Sequence, residues 1–333
     1  MLNELSKTLG SVKERILLKP RLLPTLILGI IQWGNITPLY GVVGSPSLGD
    51  MNPIIYGEDN RWDTEFYPVK MFRDKALSVA GMVSTRKLVP DSTDDNYYKF
   101  FKKSASRQYG VCKSERFSEQ IVLPVCTGFL VAPDILVTAG HCVESQNICD
   151  NFSWVFDYVE GTERIEKKNV YKCKAILSQK LKSTYITFKD YAVIQLDRET
   201  DRAPLSFRKK GRPNWGEKLV VIGHPTGMPQ KIADGAEVKI GSAINLITPL
   251  RTAFRKRDFF FANLDTFQGN SGSPVFNEET GLVEGILTEG AADYTQDPEQ
   301  LCDRSVVRSN SGLVTDEKVF RITKVKELEE LMK

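Results

Sequence analysis

From about residue 65 to about residue 315, short runs of β-branched and aromatic residues alternate with turn signals, and this rhythm restricts the chain to an all-β architecture. Gly128-Phe129-Leu130-Val131, Ala192-Val193-Ile194-Gln195-Leu196, Leu219-Val220-Val221-Ile222 and Leu282-Val283-Glu284-Gly285-Ile286-Leu287 are examples. No long helical pattern interrupts them. The period changes only at the end, where Val325, Leu328, Leu331 and Met332 recur at helical spacing among charges. This predicts an amphipathic helix, from about residue 316, packed on the strands. Many short strands suit a pair of barrels or a large sandwich, and the pattern does not separate the two.

Of the 333 residues, 41% are hydrophobic and 26% charged, which is enough apolar material for one large core or two small ones and argues against disorder or a fibre. The 45 basic and 42 acidic residues are interspersed, so no block of charge exists to track a phosphate backbone, and nucleic acid is not an expected partner. The nearest basic cluster, Arg208, Lys209, Lys210 and Arg212, lies beside Gly211 and Pro213 and reads as a solvated turn.

The six cysteines, at 112, 126, 142, 149, 173 and 302, are even in number and lack the paired spacing of a zinc site. They predict disulfides and an oxidising compartment. The N-terminus agrees with that expectation. Lys13, Arg15, Lys19 and Arg21 precede the apolar stretch Leu22 to Ile31, which is far shorter than the ~20 residues that span a bilayer. It reads as an export signal with a cut near Val43-Gly44-Ser45, the alternative being a buried hydrophobic pro-segment. Residues 1–50 are thus expected to be signal and pro-segment, followed by a turn-rich connector and a domain over 51–333. No stable membrane anchor is expected.

Around Ser271 the sequence reads Asp265-Thr266-Phe267-Gln268-Gly269-Asn270-Ser271-Gly272-Ser273-Pro274-Val275-Phe276. A nucleophilic serine needs its hydroxyl on a rigid turn and backbone N–H groups aimed at the oxygen that becomes negative; Gly269 and Ser271 can supply two. A polar hairpin would look the same. The base narrows the choice, because the chain has 2 histidines and one lies in Leu136-Val137-Thr138-Ala139-Gly140-His141-Cys142. The other, in Gly223-His224-Pro225, has the composition of a structural turn. A carboxylate must orient the imidazole, and Asp190, directly before Tyr191-Ala192-Val193-Ile194, can turn inward while Asp197 meets solvent.

Taken together, Thr138-Ala139-Gly140-His141-Cys142, Asp190-Tyr191-Ala192-Val193 and Gly269-Asn270-Ser271-Gly272-Ser273-Pro274 resemble the three signatures of trypsin-like serine peptidases, in order and in spacing. The run Gly269 to Asn277 is similar to the bacterial glutamyl-endopeptidase branch. The resemblance extends over roughly residues 54 to 325 and implies two six-stranded antiparallel β-barrels with His141, Asp190 and Ser271 as a triad between them. It implies a disulfide from Cys126 to Cys142. The other four cysteines then allow three pairings, of which Cys149 with Cys173 and Cys112 with Cys302 is the one adopted.

The chain also departs from the family. Asn270 stands where digestive members carry an aspartate that pairs with a new N-terminal amine, so activation by that ion pair is not expected, although Ile54-Ile55-Tyr56-Gly57 resembles a mature start. The family places the residue six before the nucleophile, here Asp265, at the base of the primary pocket. With Thr288, the acidic Glu289 and Gly290 at its border, that predicts cleavage after Arg or Lys; the opposing expectation is that Asp265 points into the barrel and bonds backbone. Leu287 occupies the place of the glutamyl branch's histidine, which removes support for glutamate specificity. The expected activity is that of a secreted, monomeric serine endopeptidase acting on proteins or peptides, without cofactor or metal. The alternatives are an inactive binding module of the same fold and a narrow processing protease.

Overall fold

Alternate residues of the apolar runs fill two different cores, which is why those runs are continuous instead of alternating with polar residues. The computed structural model describes residues 55–183, 188–241, 257–289, 293–308, 314–315 and 317–332. The expected export signal and Gly290 lie outside the described residues. Strands Val79–Ser84 (β1), Cys126–Ala132 (β2), Ile135–Thr138 (β3), Phe152–Val155 (β4), Val170–Ser183 (β5) and Phe188–Leu196 (β6) close into an antiparallel barrel in the order β5-β6-β3-β2-β1-β4. Strands Lys218–Gly223 (β7), Lys231–Gly241 (β8), Phe259–Ala262 (β9), Pro274–Asn277 (β10), Val283–Glu289 (β11) and Lys318–Arg321 (β12) pair antiparallel in the order β7-β10-β11-β12-β9-β8, and pairing of β8 with β7 completes the second ring.

Leu130, Leu136, Trp154, Ala192 and Ile194 cluster in the first barrel, and Leu219, Val221, Val275, Leu287 and Val319 in the second. Their strand neighbours Phe129, Val137, Val193, Val220, Ile222, Phe276, Ile286 and Phe320 join in a third cluster between the barrels. A fully buried side chain of this size contributes roughly 1.5–3 kcal/mol, so the interface cluster holds the two barrels in a fixed relation. Whatever sits in the cleft therefore rests on a rigid scaffold.

The C-terminal amphipathic helix takes the form of 3₁₀ turns, Ile322–Lys324 and Lys326–Met332. Ile322, Val325 and Leu328 are all buried in the interface cluster. Their spacing of three matches the three residues per turn of a 3₁₀ helix, which stacks them on one face.

The three disulfides are Cys126–Cys142, Cys149–Cys173 and Cys112–Cys302, as adopted from the sequence. The last ties the segment before β2 to a hairpin, Tyr294–Asp297 with Cys302–Ser305, that follows β11. The basic cluster is only partly a solvated turn: Lys209, Lys210 and Arg212 are exposed, whereas Arg208 pairs with the buried carboxylate of Glu284. Among the described residues, no helix is long and apolar enough to cross a membrane.

Candidate active site

The imidazole of His141 is set by geometry within the first barrel. It sits in the 3₁₀ turn Gly140–Cys142, which follows β3, and β3 pairs with β6 through Ala192 and Thr138. Asp190 is the third residue of β6, and its buried side chain reaches back to this turn. Its Oδ1 accepts the His141 backbone N–H at 3.0 Å, and its Oδ2 lies 2.8 Å from His141 Nδ1. A carboxylate only accepts, so Nδ1 carries the proton and Nε2 of the neutral ring is left with the lone pair a base needs. Asp197, by contrast, is exposed and bonds Lys172 N and Arg198.

The turn bearing Ser271 docks on the start of β2, which the Cys126–Cys142 bridge joins to the histidine's turn. The Ser271 carbonyl accepts the Thr127 N–H at 2.8 Å and lies 3.7 Å from Cys142 Sγ. Gly272, at φ 89°, makes the approach feasible, because a Cβ there would lie 2.0 Å from Thr127 O and 2.2 Å from Thr138 Oγ1. Ser271 itself is half-buried. The structure thus gathers His141, Asp190 and Ser271 around the Cys126–Cys142 bridge.

The direction of the turn's amides follows from peptide planarity. Gln268 O accepts the Thr226 N–H at 2.5 Å, and Asn270 O accepts the Ser273 N–H at 2.8 Å. Both peptides are trans, so the Gly269 N–H points away from Thr226 and the Ser271 N–H away from the Ser273 amide. The Gly269 carbonyl is held inward by Thr127 Oγ1 at 2.8 Å. Two backbone donors on one glycine-containing turn are what an oxyanion requires.

Asp265, expected as a buried carboxylate at the base of the primary pocket, is buried, and both of its oxygens bond backbone. Its Oδ1 accepts the Tyr56 N–H at 2.8 Å and its Oδ2 the Asn60 N–H at 3.0 Å. Burial pushes this carboxyl up to about 7, against the pull of those two amides. The opposing expectation, that Asp265 bonds backbone, describes these contacts. Thr288 is buried and its hydroxyl donates to Lys318 O at 3.1 Å. His224 is fully buried, with Nδ1 3.0 Å from Met228 O, and burial pushes it down to about 4, as suits a structural histidine. A His141 ring nitrogen and the sulfurs of Cys126 and Cys142 lie within 4.8 Å of one another, but those sulfurs are joined and have no thiolate to offer a metal.

Two residues near the turn escaped sequence reading. Asp293 Oδ2 accepts the Gln268 N–H at 2.6 Å, and Tyr294 OH lies 2.7 Å from Thr226 Oγ1. Burial pushes Asp293 up to about 6. Neither belongs to a local motif; only the fold carries them to the turn that bears Ser271.

Residues 126–286 match the family model described as a trypsin-like peptidase domain. No curated protein sequence matches the chain. Among solved structures it is similar to the active form of the Rv3671c protease from M. tuberculosis, with 15% identity, 86% of this chain and 92% of that one covered, and a TM-score of 0.42. A Glu endopeptidase shares 16% identity over 84% of this chain and 98% of that one, with a TM-score of 0.44. The VesB protease of Vibrio cholerae shares 13% identity over 82% of this chain and 66% of that one, with a TM-score of 0.48.

Proposed function

We propose that this chain, whose residues 126–286 match the model of a trypsin-like peptidase domain, is a serine endopeptidase with Ser271 as nucleophile, His141 as base and Asp190 as the group that orients the base. The observation that carries the reading is the docking of the Ser271 carbonyl on Thr127 N at 2.8 Å, which holds the serine turn against the start of β2, bridged by Cys126–Cys142 to the turn of the His141–Asp190 pair. Ser271 Oγ attacks the scissile carbonyl carbon as His141 Nε2 takes its proton. The N–H groups of Gly269 and Ser271 bond the resulting oxyanion. Collapse of the tetrahedral intermediate expels the amine, which receives the proton from His141, and leaves an ester on Ser271. Water, activated by the same imidazole, then hydrolyses that ester.

Preference for Arg or Lys before the scissile bond is the finer part of this reading. Each Asp265 oxygen accepts one backbone amide bond, from Tyr56 or Asn60, and a carboxylate oxygen has about two acceptor sites, so a substrate cation could share it. The domain boundary at about residue 51 and export to an oxidising compartment belong to the same proposal, supported by the three disulfides.

Mass-spectrometric mapping of cuts in a mixed peptide library tests both levels. Cleavage by the wild type and none by Ser271→Ala is expected, with cuts after Arg and Lys lost on Asp265→Ser. Full activity in Ser271→Ala would overturn the triad, and an unchanged cut pattern in Asp265→Ser would remove the basic preference alone.

A further inference from the structure

Gln268, the residue before the first oxyanion donor, is held directly by Asp293 and, through Thr226, by the next residue, Tyr294. Its N–H donates to Asp293 Oδ2 at 2.6 Å. Its carbonyl accepts Thr226 N–H at 2.5 Å, and the hydroxyl of that same Thr226 lies 2.7 Å from Tyr294 OH. The ring of Phe267, one residue earlier, packs on the Tyr294 ring with centroids 5.4 Å apart. Asp293 is itself anchored: its carbonyl accepts Val306 N–H at 3.4 Å, and the hairpin it begins is bridged by Cys112–Cys302.

This grip has a consequence for the reacting centre. The Gly269 N–H belongs to the same peptide as the Gln268 carbonyl and points opposite to it. Gly269 lies at φ 99°, where a glycine can rotate its flanking peptides at small cost. Nothing in the local sequence would stop that peptide from turning over and removing its N–H from the oxyanion. A charge-assisted bond from Asp293 to the preceding amide, together with the Thr226 bond on the other side, does.

We propose that Asp293 is a positioning residue for the oxyanion hole, holding Gln268 so that the Gly269 N–H faces the developing negative charge. This deepens the peptidase reading above and rests on it. Asp293 touches neither substrate nor reacting atoms; it acts through Gln268. Loss of one oxyanion donor costs about 10²–10³ in kcat. Loss of its positioning group is expected to cost about ten- to a hundredfold in kcat, with KM within about threefold, because the defect appears only when the oxyanion forms.

The experiment measures the rate at which a fluorophosphonate probe labels Ser271 in the full, processed chain, with the labelled residue identified by mass spectrometry. The probe's phosphoryl oxygen needs the same donors, and its reaction does not depend on the preferred substrate side chain. Wild type, Asp293→Ala, Asp293→Asn and Asp293→Leu are compared, with kcat and KM on a cleaved library peptide as the second readout. Asp293→Ala should label about ten- to a hundredfold more slowly at an unchanged melting temperature. Asp293→Asn, which keeps a carbonyl acceptor for Gln268 N–H, should recover to within about fivefold of wild type. Labelling of a folded Asp293→Ala at the wild-type rate overturns the proposal. If Asp293→Ala does not fold, the Asn and Leu variants decide: a slow Leu variant beside a fast Asn variant supports the proposal, and equal rates overturn it. A wild type that does not label at Ser271 would instead sink the peptidase reading on which it rests.

Discussion

The two halves of the candidate site are held in contrasting ways. His141 and Asp190 belong to one barrel, joined by the pairing of adjacent strands β3 and β6 and by a disulfide that spans 16 residues. The turn from Asp265 to Gly272 is held from remote segments: Tyr56 and Asn60 on Asp265, Thr226 and Asp293 on Gln268, and Thr127 on Gly269 and Ser271. The base side is thus a product of local strand register. The nucleophile side depends on tertiary contacts closed over long loops, each of which costs chain entropy to form. Chemistry can fail on either side, but only the second side is expected to fail through changes distant in sequence.

Substitutions on the two sides test that contrast. The largest effect is expected from Asp190→Asn, whose amide can present a donor to Nδ1 and favour the wrong tautomer; kcat should fall about 10⁴-fold with the melting temperature unchanged. Steady-state kinetics beside thermal melts check this, and a large loss of stability would show that Asp190 also holds the barrel together. Next comes removal of the bridge over 190 residues by Cys112→Ala with Cys302→Ala. The chain-entropy argument gives a cost of about 5 kcal/mol, read from urea unfolding at equilibrium. A cost near zero would mean that noncovalent contacts already hold the hairpin that carries Asp293.

A smaller effect is expected from Thr127→Val, which keeps the shape but removes the hydroxyl that donates to Gly269 O and accepts His224 N–H at 3.2 Å. Two buried polar groups lose a partner, at about 1–3 kcal/mol each. Denaturant melts should record this, and the labelling rate of Ser271 should fall about tenfold; unchanged values of both would place the site's rigidity elsewhere.

The smallest effect is in pH dependence. Burial pushes Asp265 up to about 7 and Asp293 up to about 6, both well above the ordinary aspartate range. The folded protein therefore holds protons that the unfolded chain has released, so these groups' stabilising contribution is present below about pH 4 and is lost as pH rises towards 7. His224, lowered from 6.5 to about 4, works in the opposite sense, favouring the fold less as pH falls through that range. Comparing Asp265→Asn with wild type isolates one group: the variant's melting temperature relative to wild type should climb between pH 4 and pH 7. A difference that stays flat with pH would mean that Asp265 ionises normally.

Legibility in the sequence follows the same division. The apolar runs around Phe129, Val193, Val220 and Ile286 announced strands, and their continuity reflected burial on both faces. His141, Asp190 and Ser271 each sit in a short motif whose chemistry can be read without the fold. Asp293 and Tyr294 could not be read that way, because neither their own sequence nor their distance from Ser271 marks them. The amphipathic tail was visible as a pattern, whereas its 3₁₀ form depends on Ile322, Val325 and Leu328 meeting one surface between the barrels.

Residue type and local spacing alone therefore determined the strand content, the residue types of the proposed triad and the half-cystine character of the cysteines. The tertiary structure decided which amides occupy Asp265, which carboxylate grips Gln268 and in which direction the Gly269 N–H points. The physical reason is that strand periodicity and side-chain chemistry reside within a few residues of chain, whereas a hydrogen-bond partner for a buried carboxylate is assigned only when segments well separated in the chain pack together.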